Sequence, residues 1–155
     1  MIATARKIAL LLATLVLAAC ARPVPPVAFH ADGMPGRLSD WHVVVSDGAT
    51  LRLNAGVVPY DLNSPLFSDY AHKLRTIWMP AGTAARYDAE AAFDFPVGTI
   101  ISKTFYYPLP QNAARDGKSV ARVDVSGGDL VGEKLDLSKV RLIETRLLVR
   151  RQAGW

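Results

Sequence analysis

Hydrophobic positions crowd into residues 93–108, Phe-Asp-Phe-Pro-Val-Gly-Thr-Ile-Ile-Ser-Lys-Thr-Phe-Tyr-Tyr-Pro. Pro96-Val97-Gly98-Thr99 opens this run stiffly, because proline fixes φ and Gly98 accepts the positive φ of a type II turn. β-Branched and aromatic residues then dominate as far as Pro108. Thr99, Ile101, Phe105 and Tyr107 share one face, and Ile100, Ser102, Thr104 and Tyr106 the other. Both faces suit burial, which predicts a central strand. Residues 142–151 supply its partner: Ile143, Thr145, Leu147 and Val149 alternate with Glu144, Arg146 and Arg150, one apolar face against one largely charged. Residues 74–79 alternate as a further strand. Residues 42–45 and 50–53 flank the turn signal Ser46-Asp47-Gly48-Ala49 and predict a hairpin.

Only one place favours a helix. Ser64 before Pro65 is a cap followed by a first-turn proline, so about two turns are expected over 65–72, with Leu66, Phe67 and Tyr70 on one side. Ser39 is expected to cap a short turn that sets Trp41 into the core. Residues 84–92 read as loop, 119–125 as a weak strand, and 130–140 as a charged excursion with room for a helical turn. The pattern as a whole is all-β, an antiparallel sandwich-like sheet with one short helix. Residues 150–154 look like a hairpin turn, and Trp155 would begin a returning strand. A strand without its partner leaves an open edge, so the domain is expected to be incomplete at its C-terminus and the chain to be the front part of a longer protein.

Composition changes this picture mainly at the N-terminus. Arg6 and Lys7 precede an apolar run, residues 8–17, that is short for a membrane span and has the shape of a secretory signal. It ends in Leu17-Ala18-Ala19-Cys20, which resembles the lipobox of bacterial lipoprotein precursors. That resemblance implies cleavage after residue 19, lipidation of the Cys20 thiol, and a periplasmic, lipid-anchored domain. Ala21 in place of aspartate favours the outer membrane. Residues 20–37, with Pro23, Pro25, Pro26 and Pro35, read as an extended tether, and 38–155 as the β domain. Cys20 is the sole cysteine, so no disulfide framework exists and stability rests on a core. The 155 residues less the first 19 leave 136, enough for one domain. Without Arg6 and Lys7, 16 of 18 basic side chains face 14 acidic ones, a balance of +2. No basic stripe with interleaved aromatics is present, and nucleic acid is not an expected partner.

Candidate chemistry concentrates in residues 60–72. Tyr60, Asp61, Asn63, Asp69 and Tyr70 place polar and aromatic groups in one loop and the predicted helix, with Asp61 or Asp69 available as acid or base. The simpler account is that Asp61 and Asn63 satisfy loop amides while the tyrosines pack. His72 with Asp69 is an i, i+3 pair that suits a metal on a helix, but a capping or solvent-facing pair is the plainer reading, and no metal is expected. Lys103 is expected to pair with Glu144 across the sheet rather than to act in catalysis. Neither a nucleophile elbow nor a phosphate loop occurs.

Three stretches together, 58–71 (Val-Pro-Tyr-Asp-Leu-Asn-Ser-Pro-Leu-Phe-Ser-Asp-Tyr-Ala), 95–105 and 142–150, resemble the amino-terminal region of an uncharacterised family of bacterial envelope proteins. Some longer relatives continue into di-haem c-type cytochrome segments, and others accompany quinoprotein-like sugar dehydrogenase modules. The resemblance implies a redox-associated periplasmic protein. This chain lacks Cys-x-x-Cys-His, so no cofactor is expected in it, and haem c belongs only to a C-terminal extension. The expected function is a binding or scaffold module with the membrane and a periplasmic redox protein as partners. The alternative is part of a sugar or polyol oxidoreductase with its pocket at 60–70.

Overall fold

The computed structural model describes residues 23–64, 66–110, 119–122, 129–131 and 133–155. Its strands are β1 (Val44–Ser46), β2 (Thr50–Leu53), β3 (Val58–Tyr60), β4 (His72–Trp78), β5 (Ile100–Pro108), β6 (Leu130–Val131), β7 (Lys134–Asp136) and β8 (Val140–Val149). Two antiparallel sheets result, ordered β1-β2-β7-β6 and β3-β4-β5-β8. The protein is all-β, an open sandwich-like arrangement in which β5 lies between β8, the partner expected of it, and β4.

Register explains why β5 holds that place. Trp78, Thr76, Leu74 and His72 stand opposite Ile100, Ser102, Thr104 and Tyr106. On the far side Val149, Leu147 and Thr145 stand opposite Ile100, Ser102 and Thr104. This inner face is buried, and it shares one apolar core with Trp41, Val43, Leu51, Leu53 and Leu135. Its hydroxyls are satisfied in pairs: Thr76 Oγ1 and Ser102 Oγ lie 2.6 Å apart, Thr104 Oγ1 and Thr145 Oγ1 2.9 Å.

Two turns fix the ends of these strands. The Asp47 carboxylate accepts from the Ala49 and Thr50 amides at 2.9 and 2.6 Å, closing the β1–β2 hairpin. At 96–99 Gly98 has φ +99°, and the Thr99 amide donates to the Pro96 carbonyl at 3.1 Å. A Cβ on Gly98 would lie 2.6 Å from Pro80 Cγ, so the position needs glycine for space as well as for φ.

The helix predicted at 65–72 does not form. Leu66, Phe67 and Ser68 are irregular, Asp69 and Tyr70 take φ of +45° and +63°, and His72 opens β4. Two helical turns nucleate poorly by themselves, whereas His72 gains a place in a seven-residue strand opposite Tyr106. The excursion at 130–140 holds the β6–β7 hairpin instead of a helical turn, since Leu135 pairs with Leu51 and is buried. Residues 119–122 contain no strand, and the remainder of that predicted element lies outside the described residues. β3 had no periodic signal, and its Pro59 is tolerated at a sheet edge. The short turn at Leu38–Trp41 does bury Trp41, but Arg37 holds the cap position and makes no side-chain bond, so Ser39 is not the cap.

Further differences concern the ends and the charges. The stretch expected to be a tether is docked from Pro25 onward: Asn54 Nδ2 donates to the Pro25 carbonyl at 2.9 Å, Val27 is buried, and the Ala28 amide donates to the Trp41 carbonyl at 3.0 Å. Apolar burial at Val27 outweighs the polyproline preference of its neighbours. The signal segment and Cys20 lie outside the described residues. Lys103 does not pair with Glu144. It stands opposite Arg146, and Glu144 opposite Phe105, in the register that runs unbroken from Ile100 to Phe105 and shifts only beyond it, and Glu144 binds Arg146 at 2.5 Å. The same shift leaves Ile143 exposed and interrupts the apolar face expected of β8. The turn at the end of β8 forms, closed by an Arg151–Gly154 bridge.

Candidate functional site

The residues singled out at 60–72 each have their own setting. Tyr60 sits on β3, opposite Arg75. Asp61 Oδ1 accepts from Arg75 Nη1 at 3.0 Å, and Arg75 is only 5% exposed. Asp61 is therefore the counter-charge of a buried guanidinium, a structural duty. Asn63 lies in an exposed bend. The Asp69 carbonyl, rather than its carboxylate, accepts from the Tyr107 hydroxyl at 3.0 Å. Tyr70 meets Phe67 edge-on and lies beneath the Arg122 guanidinium, 3.8 Å from ring centroid to Cζ, with Arg122 also donating to its hydroxyl.

His72 turns inward, away from all of these. Its Nδ1 lies 2.7 Å from Asp129 Oδ2, and the Tyr106 hydroxyl donates to the same oxygen at 2.9 Å. The two rings meet edge-on, 5.5 Å between centroids. Burial first, then the hydrogen bond to Asp129 and its charge, push the Tyr106 phenol far above its ordinary value, so it stays a donor. A carboxylate on His Nδ1 orients an imidazole in many general bases. Here His72 is 3% exposed, and Asp129 directly precedes β6, so the cluster ties one sheet to the other. Spacing alone gave no sign of it, since Asp129 lies 57 residues from His72.

The outer face of the β3-β4-β5-β8 sheet is the feature that strand-by-strand reading misses. Register sets Tyr60, Arg75, Lys103 and Arg146 in line across four strands. Beside that row stand Lys73, Phe105 and Glu144, and then Tyr107 with Arg141. On the opposite side Val58, Ile77, Ile101 and Leu148 make an apolar row. Asp61 and Glu144 pair with Arg75 and Arg146, but among the described residues no carboxylate lies within 4.0 Å of Lys73 or Lys103. Lys103 Nζ and Arg146 Cζ both lie over the Phe105 ring, at 4.7 and 5.0 Å. Burial, followed by the charges of Arg75 and Lys103, holds the Lys73 amine below its ordinary value. Each cation is legible on its own strand, and only the register brings them together.

Among the described residues no group of three or more histidine, cysteine or acidic side chains is placed to hold a metal ion, and no helix is long and apolar enough to cross a membrane. Compared with protein-family models, with curated proteins and with solved structures, the chain matches none.

Proposed function

We propose that this chain is a binding or scaffolding domain held at the periplasmic face of a bacterial membrane, the outer membrane in particular, by a lipid on Cys20. In this reading it carries no catalytic centre and serves a redox-associated envelope protein, a context that comes from the likeness of its three motifs to the cytochrome-linked family. The observation that supports a binding role is the outer sheet face, where cations and apolar side chains are arrayed in register and carboxylates pair with Arg75 and Arg146 but, among the described residues, not with Lys73 or Lys103. Asp61 and His72, the polar groups best suited to chemistry, are already engaged by Arg75 and by Asp129.

Two measurements test this. The mass of the protein isolated from its membrane should show loss of residues 1–19 and acylation of Cys20, and an intact leader with a free thiol overturns the anchoring. Asp61→Ala should destabilise by about 1–2 kcal/mol, the partner of Arg75 being lost at a partly solvated site, with ligand binding of the remaining folded protein unchanged. Lost sugar or polyol binding at unchanged stability in Asp61→Ala or Asp69→Ala would instead favour an oxidoreductase pocket at 60–70.

A further inference from the structure

We propose that the outer face of the β3-β4-β5-β8 sheet, with the 66–70 loop, lies on the anionic headgroups of a lipid bilayer, a contact separate from any acyl chain on Cys20. The proposal deepens the membrane-tethered reading above by naming the surface that meets the lipid.

The loop is built to present apolar side chains outward. Lys73 Nζ donates to the Leu66 carbonyl at 2.6 Å and the Tyr107 hydroxyl to the Asp69 carbonyl at 3.0 Å, so two side chains of this face fasten the loop backbone. Leu66 and Phe67 are left 82% and 71% exposed, beside a tyrosine that Arg122 covers. Large apolar groups fixed in water mark a contact surface.

The charges beside the loop say what it meets. Three cations stand directly in line on neighbouring strands, an arrangement that costs stability in isolation. Asp61 and Glu144 offset two of them and Asp69 adds a third negative charge in the loop, while Lys73, Lys103, Arg122 and Arg141 still leave an excess of positive charge around it. Apolar groups flank this cationic zone on both sides: Leu66 and Phe67 at one end, and the row holding the exposed Val58 and Leu148 at the other. A protein interface has the reverse pattern, apolar at the centre and polar at the rim. Lipid suits the observed one, because phosphates meet the cations while apolar tips reach the acyl boundary. The docking of Pro25 adds reach: five residues from Cys20 extend at most about 18 Å, so a lipid there holds the domain beside the bilayer.

The test uses the full chain with Cys20→Ser, which cannot be acylated, sedimented with vesicles of phosphatidylcholine alone or mixed with phosphatidylglycerol. The leader, with Arg6 and Lys7, adds its own lipid affinity to every variant equally, so the proposal is read in the differences between variants and parent. The chain should prefer the anionic vesicles and lose that preference as salt rises. Each cation near the surface is worth roughly fivefold in partitioning, so Lys73→Gln with Lys103→Gln should weaken anionic binding roughly 25-fold. Leu66→Ser with Phe67→Ser should weaken binding at an unchanged salt slope. Arg141→Gln, at an exposed position, gives a fivefold loss to look for should the lysine pair disturb folding. Equal binding to both vesicle types, parent-like binding by folded lysine and arginine variants, or capture of soluble polyglutamate in place of vesicles overturns the proposal. An unacylated Cys20 in the native protein would remove the anchor and leave the vesicle result intact.

Discussion

The Tyr106 hydroxyl donates to Asp129 Oδ2 at 2.9 Å, and through that oxygen a strand in the middle of one sheet holds the start of β6 in the other. His72 reinforces the same acceptor at 2.7 Å. Removing only the phenolic oxygen, Tyr106→Phe, is expected to cost about 1–2 kcal/mol in denaturant unfolding, the worth of a hydrogen bond to a charged group. Asp129→Ala leaves two buried donors without their acceptor and is expected to cost more, about 2–4 kcal/mol.

The same phenol predicts an alkaline weakness. Its folded value is raised above its ordinary 10.0, so in the folded state it remains neutral where the unfolded chain would ionise. Stability is then fully present below pH 10 and declines as pH rises beyond it. A series of unfolding curves above that pH should show a steeper decline for the parent than for Tyr106→Phe. Parallel declines would refute the assignment.

At the acid end Asp47 acts with the opposite sign. Hydrogen bonds from Thr50 and Ala49 hold its carboxyl below the ordinary value of 3.8, so its stabilising effect is present above that pH and is lost as pH falls through the folded value. Asp47→Ala should lower the melting temperature at neutral pH and flatten its acid dependence. An unchanged acid limb would mean that the turn does not depend on this carboxylate.

The buried hydroxyl pair offers a double-mutant cycle. Thr76→Val or Ser102→Ala alone strands one hydroxyl in the core and should cost about 1–3 kcal/mol. Both together should cost less than the sum, because neither oxygen is then left without a partner. Additive losses would show that packing, not the Oγ–Oγ contact, matters there.

Gly98→Ala should be the most damaging small substitution, by about 2–4 kcal/mol, because it adds strain at φ +99° to a contact of 2.6 Å with the Pro80 ring. Calorimetry comparing it with Gly82→Ala separates the two effects, since Gly82 shares the positive φ at +75° but has nothing within 4 Å. Equal losses at both would argue against the steric part.

How far these relationships were legible depended on their range. β5 was readable because β-branched and aromatic residues suit burial on both its faces, β8 because apolar and charged residues alternate along much of it, and the Gly98 turn because proline and glycine carry their geometry locally. The 65–72 segment misled because Ser64-Pro65 is a local helix signal, whereas the fate of His72 was decided by Tyr106, 34 positions away in the chain. Asp61 was expected to satisfy loop amides and does accept from the Leu62 amide, but it is also the counter-charge of Arg75, a residue whose burial no pattern announced. The cationic row depends on which residue of β8 faces Lys103, and that register is set by packing across the sheet and not by either strand alone.

β8 runs for ten residues at the margin of its sheet among the described residues. Its outward amides and carbonyls offer a ready template for another copy of the chain, and Arg141, Glu144 and Arg146 are the groups that discourage such zippering. Concentrated salt, which weakens that discouragement, is therefore the condition in which stored protein should first turn cloudy, and dilute buffer the one in which it should keep.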